Sequence, residues 1–566
     1  MTSPMTACPT ASVSRAARLL AAACSASLML FVPPALADTL IEDVNGIRFD
    51  RDGTVERFEA MLIDDDGKVA RLYRKRDKRP KEVDYKLDGN GRTLIPSFID
   101  SHLHLMDAGL AAMILDLSDT TSLQQAQARI AEYAARFPNR AWIVGRGWNQ
   151  EKWGLGRFPT AADLDAAVSD RPVWLMRADG HAGWANSAAL SAAGVTAKTA
   201  DPDGGRIIRG AGNAPAGVFV DNAMDSVASL VPEPRPEERD LALEKAQQML
   251  LEHGITAVAD MGTTIDDWQA LRRAGDRGRL RIRVMGYAAG IDEMVTIAGA
   301  EPTMWLYGDR LHMGGVKLYL DGALGSRGAW LLEDYADAPG ERGLPLKSGT
   351  QLRNMMSRAA MAGFQPAVHA IGDAANREVL DAIAELRETY EGDRRWRVEH
   401  AQIVDPADLP RFAQLDAIAS VQPVHQTSDR LMAEARLGPD RLLGAYAWHS
   451  LIESGTPVAF GSDSPVEPVD VWSGIAAAVT RQGADGQPAG GWMPQERIGR
   501  QQALAGFTAA GAYAGKAEGR FGSLAEGEWA DFLFVSADPL EISETAIRDL
   551  RVEQTWIAGV RVYQRD

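Results

Sequence analysis

Eight short β-rich segments, separated by stretches with helical periodicity, constrain the fold of this chain more than any other feature. The strand-like segments lie at 94–99, 256–259, 282–286, 315–320, 365–368, 396–398, 418–421 and 457–460. Apolar residues recur at helical spacing between many of them, as at 237–253, 352–362 and 374–390. Eight strands that alternate with helices predict a closed (β/α)8 barrel, the TIM-barrel fold of the α/β class.

The connection between the first and second strands is too long for a simple barrel. Residues 105–253 include strand-like runs and a stretch rich in Gly and Pro at 201–217. We therefore expect an insertion after strand 1, an inserted subdomain that covers the barrel mouth. Both chain ends carry short apolar alternations between turns, which predict one small β-sandwich domain built from residues 38–93 and 515–566. The barrel domain would then span residues 94–514.

The first 37 residues have a different character from the rest of the chain. Arg15 and Arg18 precede an apolar run at 19–32, and Ala35-Leu36-Ala37 ends the segment. A basic start, an apolar centre and an Ala-x-Ala ending predict a cleavable signal peptide, and hence a periplasmic or secreted protein. The apolar run is shorter than the roughly 20 residues of a membrane span. No stable membrane insertion is expected after cleavage.

Composition narrows the kinds of ligand and partner. Both cysteines, Cys8 and Cys24, lie in the predicted signal peptide, so a metal in the mature chain would be held by histidine, carboxylate or a modified side chain. The net charge of −17 disfavours binding to nucleic-acid phosphates. The expected partners are a small-molecule substrate and, because dimers are the commonest oligomers, a second copy of the chain.

The most informative motif is the pair His102 and His104 at the end of the first strand. Alternate residues of a strand face the same side, so both imidazoles can point into the barrel mouth and chelate one metal. His369, His400 and Asp463 end the fifth, sixth and eighth strands. Because active sites of β/α barrels form at the carboxyl ends of the strands, these five side chains are predicted to converge.

Lys317 lies within the apolar fourth strand, where an unpaired ammonium is costly. An ammonium has no free lone pair and cannot bind a metal. Reaction with carbon dioxide would turn the side chain into a carbamate, an oxygen ligand able to bridge two metals. The alternative is a buried lysine paired with Asp321 or Asp463.

Together these motifs resemble the amidohydrolase superfamily, and within it the YtcJ-like branch. The superfamily pattern places His-x-His on the first strand, Lys on the fourth, His on the fifth and sixth, and Asp on the eighth, as the six residues described above are placed here. The branch resemblance rests on the longer stretches 95–104, 317–327, 369–373, 399–402, 420–425 and 461–466. It covers nearly the whole mature chain, and Ser97 stands where the family commonly has glycine.

The resemblance implies a metal-dependent amidohydrolase that cleaves a non-peptide C–N bond, of amide, N-acyl or N-formyl type, with a metal-activated water. His102 and His104 would hold the more buried metal, and His369 and His400 the second. A carboxylated Lys317 would bridge the two metals, and Asp463 would bind a metal and transfer protons. Zinc is the default for such a site, with one metal per chain, or two when the lysine is carboxylated, while manganese, iron and cobalt stay open.

Four further residues are candidate substrate contacts. His181 lies in the insertion, and His425 follows the seventh strand, where it would stabilise a developing oxyanion. Asp321 and Arg327 follow the lysine strand and would contact either the substrate or the residues that support the site. Two other interpretations of function stay open. One keeps the metal site but makes the protein a deaminase, a cyclic-imide hydrolase or an isomerase. The other is a non-catalytic periplasmic binding protein, against which the complete ligand set argues.

Overall fold

The computed structural model of the protein describes residues 38–566. The predicted signal peptide, residues 1–37, lies outside the described residues, so export stays a prediction from the sequence. Among the helices of residues 38–566, none is long and apolar enough to cross a membrane.

Residues 38–566 contain 22 strands, which form three sheets. In chain order the strands are β1 (Thr39–Phe49), β2 (Val55–Ile63), β3 (Val69–Tyr73), β4 (Tyr85–Asp88), β5 (Thr93–Pro96), β6 (Phe98–Leu103), β7 (Leu115–Asp116), β8 (Ile143–Trp148), β9 (Val173–Arg177), β10 (Ala182–Ala185), β11 (Gly205–Arg209), β12 (Pro215–Asp221), β13 (Ile255–Thr263), β14 (Arg283–Ala288), β15 (Leu311–Tyr319), β16 (Gln365–Ala370), β17 (Arg397–His400), β18 (Ile418–Val421), β19 (Val458–Phe460), β20 (Phe532–Val535), β21 (Val552–Ile557) and β22 (Val560–Gln564).

The same residues contain 16 α-helices. They are α1 (Leu105–Ala111), α2 (Leu123–Arg136), α3 (Ala161–Asp165), α4 (Ser187–Ala193), α5 (Asp225–Ala228), α6 (Pro236–Glu252), α7 (Ile265–Asp276), α8 (Ile291–Ala298), α9 (Gly349–Met361), α10 (Asp373–Arg387), α11 (Leu409–Gln414), α12 (His425–Leu437), α13 (Trp448–Glu453), α14 (Val471–Thr480), α15 (Arg500–Gly506) and α16 (Ala509–Ala514). Short 3-10 turns lie at Ala211–Asn213, Asn222–Met224, Pro439–Gly444, Pro494–Glu496 and Glu544–Asp549.

Eight parallel strands form the barrel, in the spatial order β6, β13, β14, β15, β16, β17, β18 and β19. Beyond β19, backbone hydrogen bonds join the last strand segment to the first. Asp463 N donates to His102 O at 2.7 Å, and His104 N donates to Ser464 O at 2.8 Å. These two bonds lie at the carboxyl ends of the strands, so the closure of the ring also fixes the site. The predicted (β/α)8 fold is confirmed.

The first predicted strand, 94–99, is divided between two sheets. Strand β5 pairs with β1 and β20, whereas β6 starts the barrel. Ser97 lies at the crossing, where its backbone N donates to Asp531 O at 3.1 Å. Its hydroxyl lies 2.5 Å from Thr256 Oγ1 inside the protein. A serine is accommodated at this family glycine position because its buried hydroxyl has a partner.

Helix α6 illustrates how the helices enclose the barrel. It begins at Pro236, whose fixed φ suits the first turn, and it is followed by Gly254 with φ +78°. Helix α1 packs closely on it at Gly109, where a Cβ would lie 2.0 Å from Ala242 O. Both helices therefore belong to the barrel shell, although the predicted insertion, 105–253, included them.

The inserted subdomain lies between these two helices. Its six strands are ordered β11, β12, β10, β9, β8 and β7, and they enclose a separate apolar core. Trp184 makes edge contacts with Trp148 and Trp153, at ring centroid distances of 5.9 and 6.1 Å. These tryptophans fill the core of the insertion.

Two arginines tie the insertion to loops at the barrel mouth. Arg146 donates to Pro465 O, in the loop that follows β19. Arg436, on α12, lies 2.5 Å from the carboxylate of Glu151. The insertion therefore rests on the carboxyl end of the barrel, where the sequence predicted it.

Both chain ends contribute strands to the third sheet. Its order is β22, β21, β20, β5, β1, β2 and β3, with β4 also paired to β1. The sheet curls back on itself, because Val69 N on β3 donates to Glu528 O, close before β20, at 2.8 Å. Its enclosed core includes Ile41, Phe58 and Phe532. The two ends of the chain therefore meet in this small β-domain, which flanks the barrel.

Candidate metal centre

Asp463 lies at the centre of a histidine cluster at the carboxyl ends of the barrel strands. Its Oδ1 lies 3.3 Å from His104 Nε2 and 3.5 Å from His102 Nε2. Its Oδ2 lies 3.7 Å from His425 Nε2 and 4.0 Å from His400 Nδ1. One carboxylate therefore faces four imidazoles that come from three different strand ends.

The remaining histidines extend this cluster sideways. The ring of His400 lies 4.6 Å from that of His102 and 4.5 Å from that of His369, between centroids. His369 in turn lies 5.0 Å from the ring of His181, on the insertion, and 5.3 Å from that of Tyr319. The sequence predicted the convergence of the strand-end residues, but nothing in it indicated Tyr319.

The backbone at two of these positions adopts the left-handed region. His400 has φ +73° and Asp463 has φ +59°. Non-glycine residues rarely adopt this conformation, and it is retained mainly where the surrounding structure requires a particular side-chain direction. At both positions the turn away from the strand directs the side chain into the mouth of the barrel.

Burial keeps three of the imidazoles uncharged. Desolvation lowers the pKa of His102, His369 and His400 well below the usual value, and the nearby charge of Lys317 lowers each further. Burial alone would raise the pKa of Asp463, but the close imidazole of His104 and the other neighbouring histidines lower it overall. Neutral imidazoles beside an ionised carboxylate are the protonation states that bind a metal cation.

A fully bonded set of polar side chains, the floor network, lies beneath the cluster: Tyr287, Gln365, Arg397 and Glu399. Arg397 Nε donates to Glu399 Oε1 at 2.7 Å, and Arg397 Nη1 donates to Tyr287 Oη at 2.9 Å. Tyr287 Oη donates to Gln365 Oε1 at 2.6 Å. His102 Nδ1 donates to Glu399 Oε2 at 2.6 Å, so the unprotonated Nε2 of His102 faces the cluster and Lys317. A carboxylate behind a histidine in this way fixes the tautomer of a metal ligand.

Gln422 fixes the tautomer of a second histidine, His400. His400 Nδ1 donates to Gln422 Oε1 at 2.8 Å, so His400 Nε2 carries a free lone pair. Glu399 and Gln422 were not predicted from the sequence as positioning residues. The signal that could have found Glu399 is a charged residue within a short strand of a closed barrel, where the interior admits only bonded charges.

Three atoms of the cluster, the rim atoms, are buried without a hydrogen-bond partner in residues 38–566: Asp463 Oδ1, His369 Nε2 and His425 Nε2. Two groups of three ligand atoms lie within 4.8 Å of one another, one in His102, His104 and Asp463 and one in His400, His425 and Asp463. Buried donors and acceptors without partners are rare in proteins. The residues present therefore fit a divalent metal, and the second group includes His425 in place of the predicted His369.

Lys317 is completely buried beside the cluster. Its Nζ lies 3.1 Å from His102 Nε2 and 4.8 Å from the ring centroid of Tyr319. Burial lowers the pKa of Lys317 to about 8. The alternative pairing with Asp321 or Asp463 is not formed, and no ion pair joins Lys317 to any carboxylate in the described chain.

Asp321 lies behind the cluster, in the supporting position that was one of its two predicted roles. Its carboxylate accepts the backbone N–H groups of Trp330, Ile371 and Gly372 at 2.8, 3.0 and 2.8 Å. The side chain is fully buried, and Oδ1 lies 3.7 Å from His369 Nε2. Asp321 therefore holds the segments that follow β15 and β16, behind His369, and presents no free oxygen to a substrate.

Arg327 is not brought to the histidine cluster. Its guanidinium pairs with Asp337 at 2.8 Å, and it lines a surface cavity of about 310 Å³ together with Arg206 and Glu341. The predicted substrate contact is not supported by these bonds. His181 and His425, the other two candidates, do lie in the cluster.

The model of the family described as "Amidohydrolase family" matches residues 87–563. "Protein LONG AFTER FAR-RED 3" of Arabidopsis thaliana is 32% identical over 558 residues, covering 95% of this chain and 94% of its own length. "Putative amidohydrolase YtcJ" of Bacillus subtilis is 33% identical, with 90% of this chain and 97% of that protein covered. "N-substituted formamide deformylase" of Arthrobacter pascens is 27% identical, with 85% and 90% covered.

A solved structure gives the same result. The crystal structure of an uncharacterized metal-dependent hydrolase from Pyrococcus horikoshii superposes with a TM-score of 0.71 at 26% identity, and the alignment covers 90% of this chain and 99% of that one. The resemblance drawn from the strand-end motifs is thus confirmed. The chain belongs to the amidohydrolase family and is a hydrolase.

Proposed function

We propose that this hydrolase cleaves a non-peptide C–N bond, of amide, N-acyl or N-formyl type, at a metal centre. The observation that carries the proposal is the position of Asp463, whose two oxygens face histidines on both sides while Oδ1 lacks a hydrogen-bond partner in the described chain. The similarity to an N-substituted formamide deformylase supports the bond type.

The histidines of the cluster are the residues that would hold the metal. His102 and His104 with Asp463 would hold one ion, and His400, with His369 or His425, a second, with a carboxylated Lys317 between them. The donor set of imidazole nitrogens and carboxylate oxygens suits zinc. When bound, such a cation polarises a carbonyl oxygen and lowers the pKa of water from about 16 toward about 7.

Asp463 is the residue that would move protons. Its lowered pKa keeps the carboxylate ionised, so it can accept a proton from the attacking water. The same carboxyl group would then give the proton to the leaving nitrogen. The products are a carboxylic acid and an amine, and the proton that Asp463 takes from water leaves with the amine. Glu399 and Gln422 hold their histidines in one tautomer throughout.

The test is a turnover assay on zinc-loaded protein with a panel of N-formyl and N-acyl amines, in which release of the amine is measured. We expect turnover of at least one secondary amide by the wild-type chain, and loss of that turnover in Asp463→Asn. Turnover of aminopyrimidines or cyclic imides alone would replace the proposal with the deaminase or imide hydrolase interpretation. Metal-loaded protein that turns over none of these compounds would contradict it.

Export to the periplasm or the medium and assembly as a homodimer are further proposals, which rest on the sequence. The first is tested by the N-terminal sequence of the protein recovered from an exporting bacterium, expected to start at Asp38. The second is tested by light scattering of the mature chain. Retention of residues 1–37 would contradict export, and a monomeric mass would contradict dimerisation.

A further inference from the structure

His181 brings the inserted subdomain into direct contact with the metal centre. It precedes β10, and its ring lies 5.0 Å from that of His369 and 6.5 Å from that of Tyr319. Its side chain keeps 16% of its surface exposed, whereas His102 and His369 are almost completely covered. The insertion thus contributes one imidazole that faces both the centre and the open mouth.

One nitrogen of this imidazole is held by a buried carboxylate. His181 Nδ1 donates to Asp221 Oδ1 at 2.7 Å, and the Asp221 side chain is 1% exposed. The backbones are joined as well, because Asp221 N donates to His181 O at 3.1 Å. A carboxylate on Nδ1 fixes both the plane and the tautomer of the ring, as in other His–Asp pairs.

Asp221 is held in an unusual conformation. Its φ is +49°, in the left-handed region, although it is not glycine. A residue of this kind costs of order 1–3 kcal/mol and persists where the surrounding structure requires it. The strained position ends β12 at the point where its carboxylate meets the ring of His181.

The loop after the lysine strand is shaped around the same carboxylate. A Cβ at Gly322 would lie 2.5 Å from the oxygens of Asp221, and a Cβ at Gly328 would lie 2.4 Å from Oδ2. Only glycine at these two positions leaves room for the carboxylate. The barrel loop and the insertion therefore meet at the Asp221 carboxylate, which accepts a hydrogen bond from His181.

The other nitrogen of His181 is free to meet a ligand. No residue in the range 38–566 forms a hydrogen bond with Nε2, and this atom is not among the completely buried ones. Burial opposes protonation of His181, but the hydrogen bond to Asp221 raises the pKa of the ring overall. Above that pKa the ring is neutral, donates Nδ1–H to Asp221 and presents Nε2 as an acceptor. The hydrogen-bond donor that a secondary amide offers to such an acceptor is its N–H, which a tertiary amide lacks.

We propose that His181 Nε2 accepts a hydrogen bond from the N–H of the scissile amide, with Asp221 as its positioning residue, so that the enzyme selects secondary over tertiary amides. This inference rests on the proposed C–N hydrolysis and names its substrate class more narrowly. If the His181–Asp221 pair only joined the insertion to the barrel, it would not distinguish a secondary from a tertiary amide.

The experiment compares an N-alkylformamide with its N-methylated counterpart, which lacks the N–H. We expect zinc-loaded wild-type protein to prefer the N–H amide by about tenfold or more in kcat/KM, the size of one hydrogen bond. His181→Leu should bring the ratio close to one without loss of bound zinc. Asp221→Asn should lower the ratio part of the way, because Asn still contacts Nδ1 but does not fix the tautomer. His449→Gln, outside the cluster, serves as the control and should keep the wild-type ratio.

Binding gives a second measurement that does not need turnover. In zinc-loaded Asp463→Asn protein, the dissociation constants of the two amides should differ by a similar factor, and His181→Leu in that background should remove the difference. An unchanged preference in His181→Leu, or equal binding of both amides before the change, would overturn the inference. If the preference is found in binding while wild-type protein hydrolyses neither amide, the proposed hydrolysis fails and the His181 contact stands.

Discussion

The floor network and the rim atoms are both buried and polar, but only the floor network is hydrogen-bonded within the protein. Each member of the floor network is bonded to another member, and Arg397 also donates to Ser101 O and Ser420 Oγ, at 2.7 and 3.0 Å. The rim atoms, a few ångströms above, are equally buried but have no hydrogen-bond partner in residues 38–566.

The difference indicates what each layer is for. An unsatisfied buried polar atom costs about 1–3 kcal/mol, so three of them in one place are retained only where something else compensates. A bound cation would compensate the rim atoms, whereas the floor network is complete by itself. Changes in the floor should therefore lower stability first, and changes in the rim should lower metal binding or activity first.

The largest effect is expected at the rim. Asp463→Asn should lower turnover by a factor of 10³ or more, because the proton carrier is lost, while the fold and much of the metal remain. The measurements are kcat on the best substrate, metal content and the unfolding midpoint. Activity near the wild-type value in this variant would contradict the role of Asp463 as proton carrier.

A floor change should show the opposite pattern. Glu399→Gln leaves Arg397 without its buried counter-charge, so we expect about 3–5 kcal/mol less stability in urea unfolding. Because Glu399 also orients His102, metal affinity should fall by about 10- to 100-fold.

The matched control for the floor change is Asp531→Asn. It breaks the equally buried pair in which Arg283 Nε donates to Asp531 Oδ2 at 2.6 Å, away from the cluster. It should cost similar stability and leave metal affinity unchanged. Equal metal loss in both variants would mean that Glu399 acts only through the fold.

Lys317→Ala tests the proposed bridge between the two groups of ligands. Loss of the carbamate should remove metal, and added short-chain carboxylic acids should restore part of it, because their carboxylate can take the same place. Metal content with and without added acid is the measurement. Full metal without any addition would make Lys317 a structural neighbour.

The same lysine predicts a pH dependence. Carbon dioxide reacts with the neutral amine, and the pKa of Lys317 is lowered to about 8 by burial. The neutral fraction rises with pH through this value, so carbamate formation in metal-free protein should increase about tenfold from pH 7 to pH 9. Uptake of labelled bicarbonate, with Lys317→Ala as the control, measures it. Uptake that falls with rising pH would contradict the assignment.

The smallest effect is expected behind the rim. Gln422→Leu removes the acceptor that fixes His400 Nδ1, so metal affinity should fall by about tenfold with little change in stability. Competition with a chromogenic chelator measures the change. A large loss of unfolding stability with unchanged metal affinity would mean that Gln422 supports the fold, as the floor network does, and does not position His400.

The sequence was sufficient for the barrel and for the convergence of the strand-end side chains. Strand periodicity places a residue at a strand end, and parallel strands bring their carboxyl ends together, so the positions of His102, His369, His400 and Asp463 could be inferred without coordinates. The division of the first predicted strand at Ser97 could not be inferred, because the residues on both sides of Ser97 are apolar and buried.

Positioning residues were harder to predict, for a physical reason. Glu399, Gln422 and Asp221 act through a partner distant in sequence, and Arg327 was misplaced because a residue close to the lysine strand can still turn away from the mouth. Only the tertiary structure decides which buried polar group meets which.

The measurement that tests the central claim most directly is the metal content per chain of the purified protein, by elemental analysis. We expect about two equivalents, one for each group of ligands, with the lysine carbamate between them. About one equivalent would keep the hydrolase and remove the bridge. No metal, together with no hydrolysis of N-acyl amines after zinc is added, would contradict the account of the rim as a metal centre.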